Sequence, residues 1–307
     1  MKKVTNCFLC KKKSQHLITK SKQPTKIFPT KNYKNFSKKN LNVYFCKSCL
    51  YCFQYPLPSE KQINKFYKDE QSEYISLVKN PILGAEKEKE KINFIVNCVK
   101  KNFKKNKLNI VEVGGFDGYI VREVSKKFNA KSFLIEPNKT GANIASKENI
   151  IVKNSYLEKN SIQNMQGLFD VVICKHVIEH VKYLDAFVKN LKKLLNKNGI
   201  LIIETPDLNM IFKKSLTREF ILQHLHYFSI FTLKKIFKNF ININYRTTKQ
   251  ENSLIVAFSK NQKKKIVKKY KFNKKIFLKN LKKNIFSLNS FCKKNFKKKV
   301  WIRSEVH

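Results

Sequence analysis

The sequence predicts an α/β fold: a doubly wound parallel sheet preceded by a small cysteine-bearing module and a helical connector. Three observations carry this. Between residues 109 and 258, six short β-branched runs alternate with longer amphipathic stretches, the pattern of parallel βαβ units. The first of these runs ends in "EVGGFDG", an acid followed by nearly bare backbone. Five of the eight cysteines fall in the first 56 residues, four of them in two close pairs.

At 307 residues the chain is long enough for one large core and a smaller module. A hydrophobic content of 42%, with 25 Phe, excludes a disordered polyelectrolyte. The net charge of +44, from 65 Lys and Arg against 21 Asp and Glu, has two explanations. One is a polyanionic partner such as nucleic acid or an anionic membrane. The other is codon composition, because Lys, Asn, Ile and Phe, all A/T-rich, are over-used together. No apolar run approaches the ~18 residues of a membrane span. The opening "MKKVTNCFLCKKK" lacks the apolar segment of a signal peptide. These features predict a cytoplasmic protein whose thiols are reduced or metal-bound.

Residues 1–56 are expected to form a zinc-binding module. Cys7-x2-Cys10 and Cys46-x2-Cys49 each present two thiols from one tight turn, and two such turns complete a tetrahedron around Zn2+. A redox-active pair is the competing reading of either motif. Cys52 is close enough to replace one ligand, whereas Cys98, Cys174 and Cys292 read as buried thiols.

Residues 57–108 read as a helical connector. Ser59 is a candidate N-cap, and Ile92, Ile95, Val96 and Val99 make an apolar stripe. The sheet domain is expected over 109–259, with strands in "LNIVEVGG", "KSFLIEPN", "NIIVKNS", "FDVVICKH", "GILIIETPD" and "NSLIVAFSK". The stretch "DAFVKNLKKLLNKNG" predicts a helix with Gly199 at its C-cap. Residues 260–307 are a basic tail with 18 Lys and Arg and one acid. Its Phe277, Leu278, Leu281, Ile285 and Leu288 alternate with lysines as in a basic amphipathic helix. Such a helix packs on the domain, rests on an anionic membrane or grips RNA phosphates.

In doubly wound sheets, ligands sit at the carboxyl ends of strands, where the strand order reverses. Gly114, Gly115 and Gly118 give the first strand end bare backbone, and Gly114 and Gly118 tolerate positive φ. A dinucleotide loop would need glycine where Phe116 stands. Glu112 and Asp117 would repel phosphate but suit a cation or hydroxyl. Glu136 ends the next strand, where an acid can take both hydroxyls of a ribose. A cationic nucleoside without phosphate, S-adenosylmethionine, fits this set. A plain turn with a solvated Glu is the alternative.

The stretch "IVEVGGFDGYIV" resembles motif I of class I S-adenosylmethionine-dependent methyltransferases. "FDVVICKHVIEHV" and "GILIIETPD" resemble their fourth and fifth strands. "LQHLHYFSIFTLKKIF" and "CKSCLYCFQ" resemble segments of a subgroup with an N-terminal four-Cys zinc module. That subgroup contains sugar C-methyltransferases and relatives from surface-polysaccharide clusters. The resemblance implies that Glu112 and the glycines hold the methionine and ribose parts of the cofactor, that Glu136 binds the ribose, and that Asn154 reads the adenine. It places Lys175 and His176 at the methyl-donor pocket and makes His180 and His224 the active-site histidines. The subgroup's Tyr and Glu beside the base are Ile221 and Gln223 here. Deprotonating carbon needs more help than deprotonating a hydroxyl, so the departure favours O-methylation of a sugar or similar small acceptor. An rRNA or tRNA methyltransferase, or a non-catalytic zinc-containing nucleic-acid-binding protein, is the alternative. Nucleic acid is the less favoured partner, because the chain carries no Asn-Pro-Pro-Tyr strand end and no catalytic-Cys motif. His176 and His226 also read as structural histidines.

Overall fold

The computed structural model describes residues 4–20, 41–63, 81–104, 107–216, 219–249, 251–261 and 273–294. The N-terminal part is an antiparallel meander of β1 (Val4–Asn6), β2 (Lys13–Lys20), β3 (Leu41–Cys46) and β4 (Tyr51–Gln54). Ser59 caps the turn that follows: its Oγ accepts from Gln62 N at 3.3 Å, and Gln62 Oε1 accepts from Ser59 N at 2.9 Å. Helix α1 (Pro81–Asn102) leads into the second sheet.

That sheet starts with β5 (Asn109–Val113) and continues through α2 (Tyr119–Lys126), β6 (Lys131–Ile135), α3 (Lys139–Ser146) and β7 (Ile151–Lys153). After β8 (Phe169–Lys175) come α4 (Leu184–Leu194), β9 (Leu195–Pro206), α5 (Leu208–Lys214) and the two-residue β10 (His226–Tyr227). Then follow α6 (Ile230–Ile236), β11 (Ile241–Thr247), β12 (Ser253–Ser259) and α7 (Lys274–Lys294). The seven-stranded order is β11-β12-β9-β8-β5-β6-β7. β5 pairs in parallel with both β6 and β8, so the order reverses at β5, while β12 runs antiparallel to β9. This is the predicted Rossmann-like architecture, with an antiparallel edge.

Strand alternation explains the continuous apolar runs. Val111, Val113, Val172 and Cys174 enter one layer, and Ile110, Val171 and Ile173 enter the other. The α1 stripe joins the second layer through Ile95, Cys98 and Val99, so the connector helix is part of the sheet domain's core. Side chains cap the starts of three helices. Asn138 Oδ1 accepts from Thr140 N and Gly141 N, Asp207 Oδ1 accepts from Asn209 N, and Ser229 with Thr232 forms a capping box.

Three features depart from the sequence reading, and a fourth agrees with one of the alternatives it gave for the tail. β10 pairs antiparallel with β4, His226 opposite Phe53, so a ladder crosses the expected break after residue 56. Cys7, Cys46, Tyr51 and Phe53 also share a core layer with Val113 and Phe228. Gly199 lies inside β9 rather than at a helix end; a Cβ there would sit 2.6 Å from Leu195 Cδ2. β11 was not anticipated, because "ININYRT" breaks its apolar alternation with Asn and Arg. Finally, Phe277 and Leu281 of α7 are buried against Phe45 and Phe212, with the Phe45 and Phe277 rings 6.4 Å apart. The beginning of the tail helix is therefore packed on the protein. The side chains of Leu288 and Cys292 lie outside the described residues. Among the described residues no helix is long and apolar enough to cross a membrane.

Candidate active site

The carboxyl ends of β5, β6 and β8 meet at the strand-order reversal. Gly114 takes φ +72°, and a Cβ on it would lie 2.4 Å from Val177 Cγ2, so the loop after β5 abuts the segment after β8. A Cβ on Gly115 would meet Glu112 Cδ at 2.4 Å; the Glu112 carboxyl lies against the glycine loop. Gly118 has φ +69° and opens α2. Glu112 is buried and its Oε2 accepts from Val121 N at 3.0 Å. Burial pushes its pKa up to about 8, against the lowering pull of that N–H and of Lys175.

Glu136 is buried at the end of β6. Its Oε2 accepts from Phe116 N at 2.9 Å and its Oε1 from Asn138 N at 2.7 Å. Burial raises its pKa despite both bonds. Asn154 donates its Nδ2 to the Glu136 carbonyl at 2.7 Å, so its amide N–H is directed at the strand end. Lys175 ends β8 and ion-pairs with Glu88 of α1 at 2.6 Å. Asp117 turns to the start of α2 and accepts from Tyr119 N at 3.2 Å. Each carboxylate oxygen of Glu112 and Glu136 has lone pairs beyond those its backbone donor uses. Two buried acids behind a bare-backbone loop fit the charge and hydroxyls of S-adenosylmethionine.

A second group of side chains follows β8. His176 sits at φ +49°, with Nδ1 3.1 Å from Glu179 Oε1 and Nε2 3.3 Å from Glu204 Oε1. Burial alone would lower its pKa, but Glu204 and Glu179 raise it to about 10. Glu179 is fully buried; burial opposes ionisation, but His176, His180 and His224 hold its pKa at about 2. His180 Nδ1 lies 3.0 Å from Gln223 O, and His224 Nδ1 2.9 Å from Glu219 O. The His180 and His224 ring centroids are 5.0 Å apart. Burial and His180 lower the His224 pKa to about 3, and burial lowers that of His180. Behind them Lys91, itself buried, reaches Glu88 at 3.2 Å, Glu204 at 3.3 Å and Glu251 at 2.5 Å. Glu204 is held at about 2 against the raising effect of burial by His176 and Lys91.

Sequence reading missed Lys91, Glu88, Glu179, Glu204 and Glu251. The first two lie on α1, far from any motif, and only the folded sheet brings them to the strand ends. Glu179 and Glu204 carried a signal, as acids at or just past apolar strand ends. His226 is structural: its Nδ1 accepts from the Tyr51 hydroxyl and its Nε2 bonds Val181 O at 2.9 Å.

Cys7, Cys10, Cys46 and Cys49 converge, their sulfurs all within 4.8 Å of one another and Cys10 to Cys46 at 3.6 Å. A Zn2+ held tetrahedrally by four thiolates would space them about 3.8 Å apart, from Zn–S of about 2.3 Å. Burial pushes Cys7 up to about 12 without a cation. Lys235 Nζ lies 3.8 Å from Cys49 Sγ and partly offsets the charge of four thiolates. The donor set fits zinc. Nearby, a cavity of about 1050 Å³ between α4 and α6 is lined by Cys10, Cys49, Lys189, Lys192, Lys235 and Lys260, among others. It contains none of the strand-end residues described above.

A family model described as a methyltransferase domain matches residues 73–240. The ubiquinone biosynthesis O-methyltransferase of Rickettsia prowazekii is 34% identical over 120 residues, covering 38% of this chain and 47% of that protein. The enzyme of the same name from Rickettsia conorii is 38% identical over 104 residues, covering 33% and 35%. The chain spans about half the length of the curated relatives it matches, or less. Among solved structures, the Burkholderia thailandensis 1,6-didemethyltoxoflavin-N1-methyltransferase aligns with a TM-score of 0.49 at 10% identity, over 72% of this chain and 96% of that chain. A possible histamine N-methyltransferase from Thermotoga maritima aligns with a TM-score of 0.41 at 17% identity, over 54% and 87%.

Proposed function

Because the chain belongs to the methyltransferase-domain family, we propose that it moves a methyl group from S-adenosylmethionine to a hydroxyl oxygen of a small acceptor. The observation that carries this is the convergence at one strand-order reversal. Glu112 and Glu136 end neighbouring strands, and the Glu179–His180–His224 cluster follows the third. Gly114 packing on Val177 brings the two groups side by side.

Glu112 and the bare backbone of Gly114, Gly115 and Gly118 face the methionine part of the cofactor, and Glu136 its ribose hydroxyls. Asn154 acts through Glu136, whose carbonyl it holds, and Lys175 sets the charge beside Glu112. Methyl transfer is an in-line displacement at a sulfonium carbon, so the protein must align the oxygen and let its proton leave. That proton is lost at the Glu179–His180–His224 cluster, where burial keeps both imidazoles neutral at neutral pH. Cys7, Cys10, Cys46 and Cys49 hold a structural Zn2+.

The relatives' names favour oxygen as the accepting atom and a ubiquinone precursor as the acceptor class. The sugar acceptor read from the sequence draws no support from those names. It remains the second reading, carried by the four-cysteine module fused to the domain through β10. The test is calorimetric titration of the zinc-loaded protein with S-adenosylmethionine and S-adenosylhomocysteine. Transfer of labelled methyl to hydroxylated ubiquinone precursors and to nucleotide sugars would follow. Micromolar binding of either nucleoside is expected; no binding of either by folded protein overturns the reading.

A further inference from the structure

We infer that Glu179, His180 and His224 form a second metal site, separate from the four cysteines, that takes one divalent first-row transition cation. The inference rests on the reading that the acceptor hydroxyl loses its proton at this cluster.

One ligand atom from each of the three residues lies within 4.8 Å of the others. The tautomers follow from the partners. A carbonyl only accepts, so the bonds to Gln223 O and Glu219 O put the hydrogen of each ring on Nδ1. That tautomer puts the basic lone pair of each ring on Nε2, the nitrogen able to ligate a cation, and a backbone carbonyl behind Nδ1 is the usual support of a metal-binding imidazole. Glu179 supplies an independent sign. Its Oε2 is buried with no hydrogen-bond partner among the described residues, while Oε1 is occupied by His176. A buried carboxylate oxygen without a donor is unfavourable unless a cation or ligand meets it. The backbone at this point is pinned too, since Glu179 O accepts from Leu225 N at 2.8 Å and His226 N at 3.1 Å.

The neighbouring group of His176, Glu204 and Glu251 is satisfied differently. Lys91 already stands 3.3 Å from Glu204 and 2.5 Å from Glu251.

Two imidazoles and a carboxylate suit Zn2+, Mn2+, Fe2+ or Co2+, and three protein ligands leave coordination positions for an acceptor oxygen. His180 keeps 21% of its side chain exposed, so the site opens to solvent. The cation lowers the pKa of the bound hydroxyl, whose proton leaves to water. The oxygen then forms its bond to the methyl carbon as the carbon–sulfur bond breaks. The sulfonium becomes a thioether, and the cation keeps its charge.

The experiment titrates zinc-loaded protein with Co2+, following metal content and visible absorption. A second equivalent is expected, with weak d–d bands and no thiolate charge transfer. His224→Ala and Glu179→Gln should each weaken it at least tenfold while retaining the cysteine-bound zinc, whose presence reports an intact fold. Cys49→Ser should spare the second equivalent in whatever fraction stays folded. A folded protein that binds no second equivalent, or binds it with charge-transfer bands lost in Cys49→Ser, overturns the site. Cofactor titration separates the two proposals. S-adenosylmethionine binding without Co2+ binding sinks only the metal site, and Co2+ binding without cofactor binding sinks the methyltransferase reading.

Discussion

Phe116 donates its backbone N–H to Glu136 Oε2 at 2.9 Å, which fastens the glycine loop after β5 to the acid that ends β6. One side chain thus sets the loop's position and lines the expected ribose site. Glu136→Ala should weaken S-adenosylmethionine binding by about 1–3 kcal/mol, the range for charge-assisted hydrogen bonds. Calorimetry decides it, and unchanged affinity would remove Glu136 from the pocket.

Gly114→Ala should abolish cofactor binding in protein that still folds. The left-handed φ of +72° disfavours an L side chain by about 1–2 kcal/mol. The added methyl would also drive into Val177 and shift the segment carrying Glu179 and His180. Wild-type affinity in this variant would mean that the loop does not touch ligand.

Glu112 makes stability depend on pH in a defined direction. Its pKa rises from an ordinary 4.5 to about 8 on folding. Between those values the unfolded chain has released its proton and the folded chain has not. Stability should therefore fall as pH rises from about 4.5 to 8. Glu112→Gln keeps an acceptor for Val121 N and should flatten that slope in denaturant titrations. An unchanged slope would show that Glu112 is ionised in the fold.

Removing the metal from the cysteines should unfold more than the N-terminal meander. Cys46, Tyr51 and Phe53 share a core layer with Val113 and Phe228, and β4 pairs with β10. Strong chelation or Cys46→Ser should give one cooperative loss of both sheets by circular dichroism. A sheet domain that melts unchanged would make the module independent.

Phe277→Ala should destabilise the protein by about 3–5 kcal/mol, the usual range for a buried phenylalanine. The ring is 1% exposed and packs on Phe45 and Phe212. A shift below about 1 kcal/mol in the denaturation midpoint energy would show that α7 is only loosely held.

What the sequence announced and what it hid divide by distance along the chain. The glycine loop, Glu136 and the cysteine pairs were legible because their chemistry sits within a few residues of a strand end or turn. Lys91, Glu88 and Glu251 were not, because their meaning arises from α1 and the β11–β12 hairpin closing over the end of β9. The two-residue β10 gave no signal either: "HLHYFS" reads as a motif, and nothing local says that His226 pairs with Phe53. Gly199 was misread because a glycine after a helical pattern suggests a cap, whereas here it makes room for Leu195.

The bond between Tyr51 and His226 bears on how such a protein can change over time. A zinc module joined only by a linker could be exchanged between relatives as a cassette. Here the last strand of the meander is completed by residues 226 and 227, and the side chains at 51 and 226 are matched across the seam. Recombination after residue 56 would bring together halves that had never adapted to each other. Any successful swap must carry the 225–228 segment with it, so the heritable unit is two separated stretches of sequence rather than one.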